Sequence, residues 1–104
     1  MSAKLNEEFI YQILSIVEEI PYGYVATYGQ IASLSNHDGN ARLVGKVMCL
    51  SDYYGKFPCH RVVNSQGRCA PGWVEQRELL INEDVSFKEN GNVDLKKNQW
   101  KQDV

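Results

Sequence analysis

The chain has no apolar run long enough to cross a bilayer, no repeat and no low-complexity stretch, which removes membrane-spanning, solenoid and linker-type proteins from consideration. Its three cysteines, Cys49, Cys59 and Cys69, are odd in number and match neither a disulfide framework nor a CxxC zinc site. No metal and no other cofactor is expected. The amino-terminal stretch from Met1 to Glu8 is polar and lacks the apolar centre of a signal peptide, so the expected location is the cytoplasm, with no membrane partner. With 104 residues, 43% hydrophobic and 23% charged, one ordinary globular domain is expected over residues 1–104.

Net charge is only −2, which argues against indiscriminate binding to nucleic acid, yet the charges are unevenly placed. Between Ala26 and Val74 the five cations Arg42, Lys46, Lys56, Arg61 and Arg68 face two acids, Asp38 and Asp52, a local surplus of +3. That stretch can meet phosphates, or it can be an ordinary mixed surface.

Apolar residues recur at helical spacing from about Asn6 to Ile20, with Ile10, Ile13, Leu14 and Val17 in one stripe and Glu7, Glu8 and Glu18 elsewhere. Pro21-Tyr22-Gly23 ends that helix. Thr27 followed by Gln30 three residues later predicts a capping box for a short helix reaching about Leu34. After a polar turn at 36–40, in which His37 is read as solvated, residues 41–50 read as another helix carrying Leu43, Val44, Val47 and Met48 inward, with Cys49 packed in the core. Two short helices joined by a glycine-containing turn suggest a helix-turn-helix. Arg42 and Lys46, four residues apart, share one face of the second helix, either against DNA or simply in solvent.

Asp52 to Phe57 reads as a loop and Phe57 to Val63 as an extended segment. A turn at 64–67, an exposed Cys69, and a helix from Glu75 to Glu83 with Gln76, Leu79 and Leu80 inward follow. Asn90-Gly91 between Val85-Ser86-Phe87 and Val93-Asp94-Leu95 predicts a β-hairpin. The fold class is therefore α/β and mainly helical, a winged helix-turn-helix-like DNA-binding domain with a short C-terminal β-hairpin.

The run Pro58-Cys59-His60-Arg61-Val62-Val63 carries the chemistry. A cysteine thiol is mostly protonated at neutral pH, and an imidazole that takes up its proton, directly or through water, makes it a nucleophile. Adjacency alone does not establish this, because neighbours on a strand point to opposite faces.

Taken together, Ile20-Pro21-Tyr22-Gly23, Thr27 through Ala32, Ala41-Arg42-Leu43-Val44-Gly45, the Pro58-to-Val63 run and Leu79 through Glu83 resemble the DNA-binding, alkyl-accepting domain of the O6-alkylguanine-DNA alkyltransferase family. The resemblance implies that Cys59 accepts the alkyl group, His60 deprotonates it through a water and Glu83 orients the histidine. It implies that Tyr28 crowds the 3′ phosphate and helps rotate the nucleotide out of the stack, while Arg42 enters the minor groove and fills the vacated space. Ala41, Lys46 and Arg61 join these as expected DNA contacts. Ser51, standing where the family has asparagine, Pro58, and Trp73, in a stretch that departs from the family's pocket-closing loop, are the expected lesion pocket.

The partner so implied is double-stranded DNA containing O6-alkylguanine, bound by a monomer. The chain's length and ending also resemble the short alkyltransferase-like proteins, which bind alkylated guanine without repairing it. They typically carry tryptophan or alanine where Cys59 stands, and on that alternative nucleotide-excision-repair proteins become partners. A third reading, a transcription-factor-like helix-turn-helix with an incidental thiol, predicts sequence-specific binding without preference for a lesion.

Overall fold

The structure is a computed structural model that describes residues 6–101. Helix α1, Glu7–Glu18, starts where Asn6 caps it, its side-chain oxygen accepting from the Phe9 N–H at 2.8 Å. Such a cap contributes about 1 kcal/mol. The inward face is Phe9, Ile10, Ile13, Leu14 and Val17, all buried, as the apolar spacing requires.

Strand β1, Ala26–Thr27, runs directly into α2, Tyr28–Leu34. The expected capping box joins them. Thr27 Oγ1 accepts from the Gln30 N–H at 3.0 Å, and Gln30 Oε1 accepts from the Thr27 N–H at 3.2 Å. After the turn comes α3, Ala41–Tyr54, four residues longer than the sequence reading because no breaker occurs before Gly55. A single 3-10 turn at Cys59–Arg61 leads into β2, Val62–Val63, which pairs in parallel with β1 in the register Ala26↔Val62 and Thr27↔Val63. Thus the segment expected to be extended from Phe57 is a tight turn for its first half. Helix α4 is Val74–Asn82 and α5 is Leu95–Asn98.

The C-terminal hairpin is minimal. Phe87 and Val93 form a single antiparallel bridge, flanked by bonds from Lys88 N–H to Asn92 O and from Asp94 N–H to Ser86 O, both 2.8 Å. Leu95, expected in the second arm, instead opens α5. The chain then returns to the sheet, where Val25 N–H donates to Asn98 O at 2.9 Å and Trp100 N–H to Val25 O at 2.7 Å.

Two apolar clusters result. One joins α1, α2 and α3 to Cys59 and Val62, and the other gathers Val25, Val63, Leu80, Val85 and Val93. Strand β2 contributes to both, Val62 to the first and Val63 to the second, and Cys59, one turn before it, packs in the first. Among the described residues no helix is long and apolar enough to cross a membrane.

Candidate functional site

Helical geometry builds one wall of the site. Residues 45, 48, 49 and 52 follow i, i+3, i+4, i+7 spacing on α3, and Gly45, Met48, Cys49 and Asp52 all line one open cavity of about 520 Å³. Tyr28, Cys59, His60 and Trp73 line the same cavity. Its size falls within the range of small-molecule pockets. The inward stripe of α3 is instead Val44, Val47 and Ser51, which is why Cys49, expected in the core, is exposed. Leu79 is similarly displaced. Gln76 and Leu80, one turn apart, take the buried face of α4, and Leu79 turns to the cavity at 39% exposure.

Cys59 is 8% exposed at the start of the 3-10 turn. Burial pushes its thiol up from the usual value, the Ser51 hydroxyl pulls it down by hydrogen bonding, and the Asp52 carboxylate pushes it up again. The resting thiol is therefore protonated at neutral pH. Ser51 is itself buried; its single hydroxyl proton goes to Met48 O at 2.9 Å beside the neutral thiol, and it lowers Cys59 by turning to the sulfur when that ionises. Pro58 stands outside the lining of the cavity and shapes the turn: its carbonyl accepts from Arg61 N–H at 3.0 Å, while Cys59 N–H reaches Phe57 O at 2.7 Å.

Behind the turn lies Glu83, buried at the C-terminal end of α4. Its Oε2 lies 2.7 Å from His60 Nε2 and accepts from Arg61 Nη2 at 2.9 Å; its Oε1 accepts from Arg61 Nε at 3.0 Å and from the Gly23 N–H at 3.0 Å. Gly23 sits at φ +86°, a conformation glycine adopts without strain, and a Cβ there would come within 3.3 Å of the Glu83 carbonyl. Burial alone would push the Glu83 carboxyl up, but the bonds from Arg61, Gly23 and His60 outweigh it and hold it at about 2. With Glu83 ionised, the 2.7 Å contact has His60 Nε2–H donating to the carboxylate, so in the neutral ring the bare nitrogen is Nδ1.

Arg61, expected on the DNA, is placed elsewhere by the fold. Its guanidinium grips Glu83 and the Ile20 carbonyl, the latter at 2.8 Å, and lies over the Tyr22 ring at 5.7 Å. Those bonds tie the turn to the end of α1 and leave the fork directed inward. By contrast Arg42 and Lys46 project from α3 into solvent, with Ala41 half-buried at its first position. Tyr28 is half-buried at the mouth of α2, and its hydroxyl is pushed up by burial and by its proximity to Cys49, Cys69 and Cys59. Cys69, expected to be exposed, is half-buried against the second apolar cluster. His37 also departs from the solvated reading, meeting the Phe9 ring edge-on at 4.7 Å.

One participant escaped the sequence reading as anything more than an inward side chain. Gln76 is fully buried; its amide donates to His60 O at 3.1 Å and Val62 O at 2.9 Å and accepts from Ala70 N–H at 2.6 Å. It pins the turn carrying the Cys-His pair to the loop that lines the cavity at Ala70–Trp73. A polar residue at a core position of a short helix is the only sequence signal that could have marked it. Among the described residues no group of His, Cys, Asp and Glu could hold a metal ion.

Residues 8–85 match the family model described as 6-O-methylguanine DNA methyltransferase, DNA binding domain. The chain is 35% identical over 97 residues to a DNA base-flipping protein from Vibrio parahaemolyticus, spanning 90% of this chain and 97% of that one. It is 34% identical over 104 residues to alkyltransferase-like protein 1 of Schizosaccharomyces pombe, covering 91% and 96%. The methylated-DNA–protein-cysteine methyltransferase of Methanocaldococcus jannaschii is 38% identical over 88 residues, of which the chain spans about half, 52%. In three dimensions the chain superposes on S. pombe Atl1, solved in complex with damaged DNA containing O6-carboxymethylguanine, with a TM-score of 0.81 at 32% identity, covering 94% of this chain and 99% of that one. The helix pair, the Cys-His turn and its buried carboxylate thus occur in a chain that belongs to the 6-O-methylguanine DNA methyltransferase DNA-binding-domain family.

Proposed function

We propose that this protein binds duplex DNA through the minor groove, turns O6-alkylguanine out of the stack into the cavity of Tyr28, Cys59 and Trp73, and takes the alkyl group onto Cys59. The observation that carries the reading is the placement of Cys59 on the wall of that cavity, followed in sequence by a histidine whose far nitrogen is held by a buried carboxylate. Arg42 and Lys46 on the exposed face of α3 supply the DNA contacts, with Arg42 occupying the gap the flipped base leaves.

Chemically the step is a single displacement. The Cys59 proton passes to His60 Nδ1 through a water, and the thiolate attacks the alkyl carbon. A carbon–sulfur bond forms while the bond to O6 breaks. The electron pair returns to guanine, which ends protonated, so the proton lost from the thiol is recovered on the base. The thioether is not reopened, and each molecule acts once. Glu83 stabilises the imidazolium formed on the way.

A second reading is favoured by two observations. The thiol of Cys59 lies above its ordinary range, and the relatives matched along nearly their whole length are named base-flipping and alkyltransferase-like proteins. On that reading the protein flips and holds the lesion, and recruitment of excision repair follows. Both readings require lesion-selective binding, tested by titrating a duplex containing O6-methylguanine against the same duplex with guanine. A clear preference for the lesion supports both; equal affinity for the two overturns both and leaves a helix-turn-helix module.

A further inference from the structure

Away from the lesion cavity, the returning C-terminal segment builds a second groove of about 470 Å³, lined by Tyr24, Lys96, Lys97, Gln99, Trp100 and Lys101 together with a proline. In a chain of net charge −2, three cations line it, and among the described residues no carboxylate does. Among the described residues, none of the three lysines is in an ion pair. Two aromatic residues share the lining with the cations: Tyr24 is 44% exposed, and Trp100 is half-buried, packed against the α1–α3 cluster.

The groove rests on a rigid frame. Trp100 is bonded to Val25 through its backbone N–H, its carbonyl accepts from Gln30 Nε2 at 2.6 Å, and Gln99 Nε2 donates to Gln30 Oε1 at 2.9 Å. Gln30 is also the residue that closes the capping box of α2, so the groove's floor is fixed to the helix that begins with Tyr28. It shares no lining residue with the cavity of Cys59.

Cations alone would suit any polyanion. Aromatic side chains sharing a groove with lysines suit a chain that alternates phosphates with unpaired bases, because stacking on an aromatic ring accepts every base while the lysines follow the backbone. We propose that this groove is a second nucleic-acid site, one that binds a single-stranded segment. The inference shares with the proposed function only its ligand class and uses none of the same side chains.

The test uses the full chain and a short labelled oligothymidylate, read by fluorescence anisotropy across a salt series, beside a duplex containing O6-methylguanine. Three proteins are compared with the native one: the triple variant Lys96→Gln, Lys97→Gln, Lys101→Gln; Tyr24→Leu; and Arg42→Ala. The triple variant is expected to bind oligothymidylate about tenfold more weakly, with the log–log salt slope reduced by roughly two. Tyr24→Leu is expected to weaken it about fivefold with the slope kept. Both should hold the lesion duplex to within about twofold, and Arg42→Ala should show the reverse pattern.

Failure of the native protein to bind oligothymidylate overturns the inference, as does a triple variant that binds it normally. Equal competition by polyglutamate overturns it too, since stacking would then count for nothing. If the variants lose duplex and single strand alike, the groove belongs to the duplex interface and the second site does not exist. Loss of lesion preference with oligothymidylate binding intact overturns the proposed function and leaves this inference standing.

Discussion

His60 Nε2 lies 2.7 Å from Glu83 Oε2, and the same carboxylate is forked by Arg61 and capped by the Gly23 N–H. Three segments far apart in sequence, at Gly23, His60–Arg61 and Glu83, meet at one buried charge. The arrangement gives the histidine a defined tautomer and makes Glu83 a structural anchor as well as a positioning group.

Acid stability follows directly. The folded Glu83 titrates at about 2 against an ordinary 4.5, so between those values the unfolded chain binds more protons than the folded one. Its contribution is complete above about pH 4.5 and is lost as pH falls toward 2. Urea unfolding at about pH 6 and about pH 3 should show the native protein losing much of this increment. Glu83→Gln should be destabilised at the higher pH, with Arg61 left buried beside a neutral partner, and should change far less between the two. A native protein equally stable at both would contradict the anchor.

Arg42 is exposed on α3 and contributes little to folding. Arg42→Ala should leave unfolding free energy within about 0.5 kcal/mol of native. It should also weaken binding of an O6-methylguanine duplex by about 1–3 kcal/mol, read by anisotropy. A variant that binds the lesion as the native chain does would remove Arg42 from the flipping step.

Gln76 closes three hydrogen bonds in a fully buried position. Gln76→Leu keeps the volume but strands the Ala70 N–H and two carbonyls, at an expected cost of about 2–4 kcal/mol. Thermal unfolding should fall by about 10 °C or more. Hydrogen exchange at the Ala70 amide should quicken. A melting point close to native would mean that the loop is held by other contacts.

In the resting protein, burial and Asp52 raise the Cys59 thiol while Ser51 lowers it. Iodoacetamide modification followed by peptide mass mapping should therefore show Cys59 reacting slowly at neutral pH, with a rate that climbs through and beyond pH 9. Ser51→Ala should move that profile to still higher pH. A Cys59 already fast at neutral pH would mean that its thiolate is preformed.

Much of the frame was legible in the sequence because it rests on local rules. The stripe of Ile10, Ile13, Leu14 and Val17 and the Thr27–Gln30 box each follow from spacing within a single element, and both are present. Where neighbours in space decide, local rules fall short. Cys49 has an apolar character that suits a core, yet the stripe of Val44, Val47 and Ser51 faces inward and leaves it at the cavity. Leu95 carries strand-like company, but the chain must turn there to bring Gln99 beside Val25.

The site was legible only in part. Resemblance brought Cys59, His60 and Glu83 together, and the structure gives His60 and Glu83 their contact. It says nothing comparable for Arg61, whose positive charge reads equally well as a phosphate contact until the Glu83 carboxylate is seen beside it. The clamp made by Gln76 depends on three backbone groups from two loops, and no spacing rule encodes such a meeting.

Intact mass after incubation with a short duplex containing O6-methylguanine, with Cys59→Ser in parallel, decides whether Cys59 takes the alkyl group. The native chain alone should gain the mass of one methylene unit, located on the peptide bearing Cys59. An unchanged mass in a protein that binds the lesion tightly and selectively would contradict alkyl transfer.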